Sequence, residues 1–287
     1  MKIFDGIINE TVKEMEMRFK DGKSKALTLS YDDAVIQDKR LVELMAPKGM
    51  KCTFNICSGK YLPEGEKRVK GNKMSLSEAK ETFKDTVHEV AVHCYNHSCL
   101  TDLSDEEIAY EINEDCRRIE EDYGCIARGM AYPYGAYDSR VEDVIKKSGM
   151  VYGRTIKSTE AFILPENWLE WNPTCHHNNP GLMELAKIFC EESEPSGKAR
   201  VFFLWGHTYE FDTNDNWRVI EEFIEYAGGR DDIWYATNIE IYDYVEAYRK
   251  LDVGYDEKTV YNPSAIDVWA EIKGKLYCIK GGETLEV

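Results

Sequence analysis

The stretch ALTLSYDDAV, residues 26–35, runs from a short β-rich apolar segment straight into two aspartates. Carboxylates at the end of an apolar strand are costly to hold there unless they meet cations or bound water. Taken alone, Asp32 and Asp33 read as solvated turn residues, so the rest of the chain must decide whether they are more than that. Six further apolar runs of strand character follow: KCTFNI (51–56), HEVAV (88–92), GMAY (129–132), MVYGR (150–154), RVFFLW (200–205) and IWYA (233–236). Helical patterns lie between most of them, at 36–45, 75–85, 104–123, 138–147, 217–227 and 239–251. Two open on capping boxes, Ser75 with Glu78 and Ser104 with Glu107. The second carries Ile108, Ile112, Cys116, Ile119 and Tyr123 at helical spacing until Gly124 stops it.

Strands alternating with helices at this rhythm predict an α/β fold, with parallel strands joined by helical crossovers and about seven units closing toward a distorted (β/α) barrel. Such folds do their chemistry at the C-terminal ends of strands. Polar residues collect there: Asp32 and Asp33 after the first strand, His93 and His97 after the third, PYG after the fourth, His207 after a late one. The tail loses helical periodicity, and IDVWAEI followed by LYCI reads as a hairpin turning near Lys273-Gly274. The expected organisation is an N-terminal extension (1–24), a barrel domain (25–252) and a small β appendage (253–287).

Composition narrows the partners. The chain has 287 residues, 43% of them hydrophobic, enough for a full core. A formal charge of -17 would repel nucleic acid and anionic membrane surfaces, whereas a neutral or cationic partner is easily accepted. The first residues lack the apolar region of a signal peptide and no apolar run reaches transmembrane length, so a soluble, cytoplasmic protein is expected. Nine cysteines without a C-x-x-C pair fit a reducing interior.

His93 and His97 stand four apart, so a helical turn would aim both rings the same way. With one aspartate they would make a facial set that leaves positions open for water and substrate, as catalytic rather than structural zinc sites do. The second aspartate is then free to act as a base.

These residues carry a family resemblance. LTLSYDDAV is similar to the T-F-D-D-G motif, EVAVHCYNHSCL to E-I-G-x-H-[ST]-x-x-H, AYPYG to R-x-P-Y-G, and FFLWGH to the late L-x-x-H motif of the polysaccharide deacetylases with a NodB-type domain, carbohydrate esterase family 4. Four motifs in order, between residues 27 and 207, are far more specific than any one alone. The resemblance implies a metal-dependent hydrolase that removes acyl groups, usually N-acetyl and alternatively O-acetyl, from a carbohydrate. It makes Asp32 the base, Asp33, His93 and His97 the ligands of one divalent metal, Tyr134 the oxyanion donor through its backbone N–H, and His207 the acid. Zinc suits that ligand set, and cobalt, nickel or iron would also bind.

The chain departs from the pattern mildly at Ser30 and Tyr31, which stand for threonine and phenylalanine, and in three further places. Ala34 replaces a glycine, Cys94 a serine or threonine, and Ala131 the arginine that pairs with the base, leaving Arg128 or Arg154 as substitutes. Glu170 is a candidate to orient His207, while His176 and His177 read as solvent-facing loop residues. Two alternatives stay open: hydrolysis of another amide, such as a formamide or ureide, and a degenerate carbohydrate-binding protein. The second would normally have lost a ligand or the base.

Overall fold

The computed structural model describes residues 15–68, 73–192, 198–255 and 257–287; the start of the N-terminal extension, 1–14, lies outside them. The chain opens with β1 (Met15–Arg18) and β2 (Lys25–Asp32). It continues through α1 (Asp38–Met45), β3 (Cys52–Ile56), α2 (Leu76–Phe83), β4 (Glu89–Val92), α3 (Asp105–Tyr123), β5 (Gly129–Ala131), α4 (Ser139–Lys147) and β6 (Tyr152–Arg154). Next come β7 (Cys175–His176), α5 (Leu182–Glu191), β8 (Arg200–Gly206), α6 (Tyr209–Thr213), α7 (Arg218–Ala227), β9 (Ile233–Tyr235) and α8 (Asn238–Arg249). The tail holds β10 (Asp252–Val253), β11 (Thr259–Tyr261), β12 (Val268–Ile272), β13 (Lys275–Ile279) and β14 (Thr284–Glu286).

Every residue of β2 and β8 is buried, as befits central parallel strands covered on both faces. The sheet runs β6-β5-β4-β3-β2-β8-β7, all pairs parallel, the distorted (β/α) barrel expected from the sequence. β9 shares with β3 one edge of β2, taking residues 25–27 while β3 takes 29–32, and β8 lies along the other edge. All seven predicted strands are in this sheet. The eighth, β7, falls in the CHH segment read as loop; two residues carry no periodicity, and only the register Cys175↔Leu204 and His176↔Trp205 makes them a strand. Helix α5 also went unpredicted, although Leu182, Ala186 and Phe189, all buried, follow helical spacing.

Both predicted capping boxes form, each worth roughly 1 kcal/mol. The helices bury their apolar faces against the sheet, as with Phe83 of α2, whose ring centroid lies 4.5 Å from that of Phe54 on β3. Each such buried ring contributes roughly 1.5–3 kcal/mol. Antiparallel strands complete the C-terminal region: β12 and β13 form the expected hairpin, with Lys273 (φ 52°) and Gly274 (φ 76°) both left-handed at its turn. β1 pairs with the other edge of β12, so both ends of the chain build this sheet. Its buried residues, Val268, Ala270 and Ile272, cluster with Ala247 and Leu251 at the end of the α8 region. No helix among the described residues is long and apolar enough to cross a membrane.

Candidate active site

Asp32 is the last residue of β2 and is 2% exposed. The neighbouring strand supplies Asn55, whose side-chain N–H donates to Asp32 Oδ1 at 2.8 Å. Arg154 Nη2 donates to both oxygens, at 2.6 and 2.5 Å. Arg154 stands opposite Ala131 in the β5–β6 register, so the cation missing at 131 is supplied one strand over. Arg128 is engaged elsewhere, with Asp243 at 2.5 Å. The Arg154 guanidinium also lies 4.5 Å over the Trp205 ring. Burial pushes the Asp32 carboxyl up, but the charges of Arg154, then His93 and His207, outweigh it and hold the group well below the usual carboxylate range.

Asp33 and Ala34 leave the strand in left-handed conformation, φ 88° and 48°. That explains the glycine at the Ala34 position in the resembling motif, because a Cβ there is strained. Lys73 holds the turn, its Nζ donating to Asp33 Oδ1 at 2.8 Å and to the Asp33 carbonyl at 2.7 Å. Burial opposes ionisation of Asp33, and Lys73 overcomes it, keeping this carboxyl low as well.

The segment from His93 to His97 is not the helical turn that its spacing suggested. Cys94 (φ 64°) and His97 (φ 56°) are left-handed, which breaks the helix, yet the two rings still meet edge to face with centroids 4.8 Å apart. Donor atoms of Asp33, Cys57, His93 and His97 all lie within 4.8 Å of one another. His93 Nδ1–H donates to the Ala131 carbonyl at 2.8 Å, which fixes the tautomer and leaves Nε2 bare toward the cluster. Burial lowers His93 to about 4 and lowers His97 too, so both rings are neutral, the form that binds metal. The Cys57 thiol donates to the His93 carbonyl at 3.1 Å, and burial raises it well above its ordinary value. The donor set thus fits a divalent ion through Asp33, His93 and His97.

His207 follows β8 and points Nε2 toward Asp32 Oδ2 at 3.7 Å, while His93 Nε2 approaches the same oxygen at 3.8 Å. Its Nδ1–H donates to Glu210 Oε1 at 3.0 Å. Burial pulls His207 down, but the Glu210 hydrogen bond and the Asp32 charge leave it above the ordinary imidazole value. Glu210, not Glu170, is therefore the carboxylate on His207; Glu170 acts instead on Tyr137, whose hydroxyl burial, helped by the Glu170 charge, pushes up. The solvent-facing reading fails for His177, while His176 is half-buried, its side chain 22% exposed. His177 is fully buried, 4.2 Å from the Phe211 ring and stacked on Tyr31, and a side chain at Gly206 would overlap it. Tyr134 sits in a left-handed turn (φ 59°) after β5, its 66% exposed side chain meeting His97 edge-on at 4.6 Å. A separate cavity of about 360 Å³ opens at the N-terminal end of β4, beside Val87, His88 and Ile126, and holds none of these residues.

Sequence reasoning missed Lys73, Asn55 and Glu210. A polar Asn55 inside a wholly buried strand was a legible signal, whereas Lys73 meets Asp33 only through the fold.

The family profile for polysaccharide deacetylases matches residues 19–153, which include Asp32, Asp33, His93, His97 and Tyr134 but not His207. The chain is 27% identical over 123 residues to chitin deacetylase 1 of Cryptococcus neoformans, a match over 42% of this chain. It spans about a quarter (24%) of that relative's length. Among solved structures, it resembles a Mycobacterium smegmatis protein assigned to the polysaccharide deacetylases, with TM-score 0.60 and 16% identity over 82% of this chain and 94% of that one. Residues 19–153 thus match the polysaccharide deacetylase model in sequence, and the barrel matches that of the solved structure in fold.

Proposed function

We propose that the protein is a metal-dependent hydrolase that removes acetyl groups, N-acetyl or alternatively O-acetyl, from a carbohydrate. One observation carries this reading: Asp32 lies clamped by Arg154 between His207 at 3.7 Å and His93 at 3.8 Å, at the strand end that also bears Asp33. In this reading the catalytic domain spans residues 25–252 and the appendage 253–287.

Asp33, His93 and His97 would hold the ion, zinc first given one carboxylate and two imidazoles, with cobalt, nickel or iron also suited. When bound, the ion supplies a Lewis acid for the acyl carbonyl and a water of lowered pKa. Arg154 keeps Asp32 ionised at neutral pH, at some loss of basicity, so that it accepts the proton of the attacking water. The Tyr134 N–H donates to the oxygen that gains charge as the tetrahedral species forms. His207, tied at Nδ1 to Glu210, presents Nε2 to the departing nitrogen and protonates it. Acetate and a free amine result.

A chitin-type substrate is supported by the chitin deacetylase relative, and a net charge of -17 suits a neutral glycan whose product becomes cationic. The test is acetate release from N-acetylglucosamine oligomers and acetylated xylan by protein loaded with Zn²⁺ or Co²⁺, with Asp33→Ala alongside. Release that disappears in the variant supports the reading. Bound metal without release from any glycan would redirect it to another amide, a formamide or ureide, and a protein that binds no metal would end it.

A further inference from the structure

The loop bearing His93 and His97 hangs from one face of α3. Glu111 and Asp115, four residues apart on that helix, are both buried. Asp115 Oδ2 accepts the His93 backbone N–H at 3.1 Å, a donor it shares with the Ile56 carbonyl at 3.0 Å, and its Oδ1 accepts the Ser58 N–H at 2.8 Å and the Ser58 hydroxyl at 2.5 Å. Glu111 accepts the Asn96 backbone N–H at 2.7 Å and the Asn96 side-chain N–H at 2.8 Å. The Glu111 backbone carbonyl takes the Tyr95 N–H at 3.1 Å. Three amides of a five-residue loop are thus fixed by two turns of one helix. The loop needs that support, because Cys94 and His97 both hold left-handed conformations that cost on the order of 1–3 kcal/mol each.

We infer that Glu111 and Asp115 are positioning residues that build the His93–His97 geometry before any ion arrives. This rests on the ligand assignment proposed above. The carboxylates touch neither substrate nor ion; they act through the backbone, so that metal binding does not have to order the loop itself.

The experiment uses metal-free full-length protein, titrated with Co²⁺ and followed by the visible absorption of the bound ion, together with amide hydrogen exchange at His93, Tyr95 and Asn96. Glu111→Ala and Asp115→Ala should each weaken Co²⁺ binding roughly 10–100-fold; Glu111→Ala should speed exchange at Asn96 and Asp115→Ala at His93, while Tyr95, held by the Glu111 backbone carbonyl, serves as the internal reference. Glu111→Gln should stay within about threefold of wild type, since the glutamine carbonyl accepts the Asn96 N–H while its NH₂ donates to a flipped Asn96 side chain. Unchanged affinity and protection in the alanine variants would overturn the inference, as would Glu111→Gln failing as badly as Glu111→Ala. Should Asp115→Ala not fold, the Glu111 pair decides alone. If wild type binds no Co²⁺, the ligand assignment fails, and the exchange comparison still reports whether α3 orders the loop.

Discussion

Two groups in this molecule look alike by composition. His93 and His97 converge with Asp33, and His176 and His177 converge with Glu210, each within 4.8 Å. Their hydrogen bonds separate them. His93 spends its Nδ1 proton on the Ala131 carbonyl and leaves Nε2 bare. In the second group Asn178 N–H donates to His176 Nδ1 at 3.1 Å, which puts the proton on Nε2, 3.4 Å from Glu210 Oε2. His177 Nε2 lies 3.0 Å from the same oxygen, Asn178 Nδ2 donates to it at 2.8 Å, and His207 occupies the other. Asn178 and His207 each donate to one Glu210 oxygen, which makes this group an anchor for His207 rather than a place for an ion. Residue types nominate a metal site; tautomers decide it.

Substituting one histidine in each group tests that contrast most strongly. His93→Ala should abolish stoichiometric Zn²⁺ or Co²⁺ binding and lower acetate release by roughly a thousandfold, the several kcal/mol that a catalytic ion supplies. His176→Ala should still bind one ion per chain by metal analysis. Equal loss in both variants would erase the distinction.

Arg154→Met comes next. It leaves Asp32 buried without its cation and should cost about 3–5 kcal/mol of stability, read from urea unfolding at neutral pH. The sign with pH follows from the depressed Asp32 value. In the wild type this stabilisation is present above the unfolded carboxylate value and lost as pH falls through the folded one. In the variant the carboxyl is no longer held low, so the deficit should shrink on acidification, when Asp32 can be neutral.

Glu210→Gln probes the anchor. Because Glu210 raises His207, the variant should draw the alkaline limb of the pH profile of kcat/KM toward lower pH, with metal content unchanged. The stability from this pair is complete below the unfolded imidazole value and is lost as pH rises through the raised one, so Glu210→Gln should destabilise at acid pH more than at alkaline pH. A limb that stays put would remove Glu210 from the role. The smallest effect is expected at Lys73, whose ammonium shares Asp33 Oδ1 with any ion bound there. Lys73→Met should tighten Co²⁺ binding by about threefold to tenfold, a Coulomb term of roughly 1 kcal/mol; weaker binding would show that Lys73 positions Asp33 instead.

The barrel strands were legible because apolar runs and capping boxes are local signals, carried by residues such as Leu27 and Leu29 or Ser104 and Glu107. The chain order of Asp32, Asp33, His93, His97 and His207 was legible too, since each follows an apolar run. By itself the sequence determined an α/β barrel with a polar set at its strand ends. Tertiary structure decided which cation stabilises Asp32: Ala131 and Arg154 are 23 positions apart and become neighbours only through the β5–β6 register. It also decided the backbone of the His93–His97 loop, where bonds from α3 override the helical spacing. It gave His177 its burial and Glu210 its partners through the pairing of a two-residue strand. Periodicity and capping act over a few residues and survive in one dimension, whereas strand register, tautomer and charge pairing depend on groups brought together from distant parts of the chain.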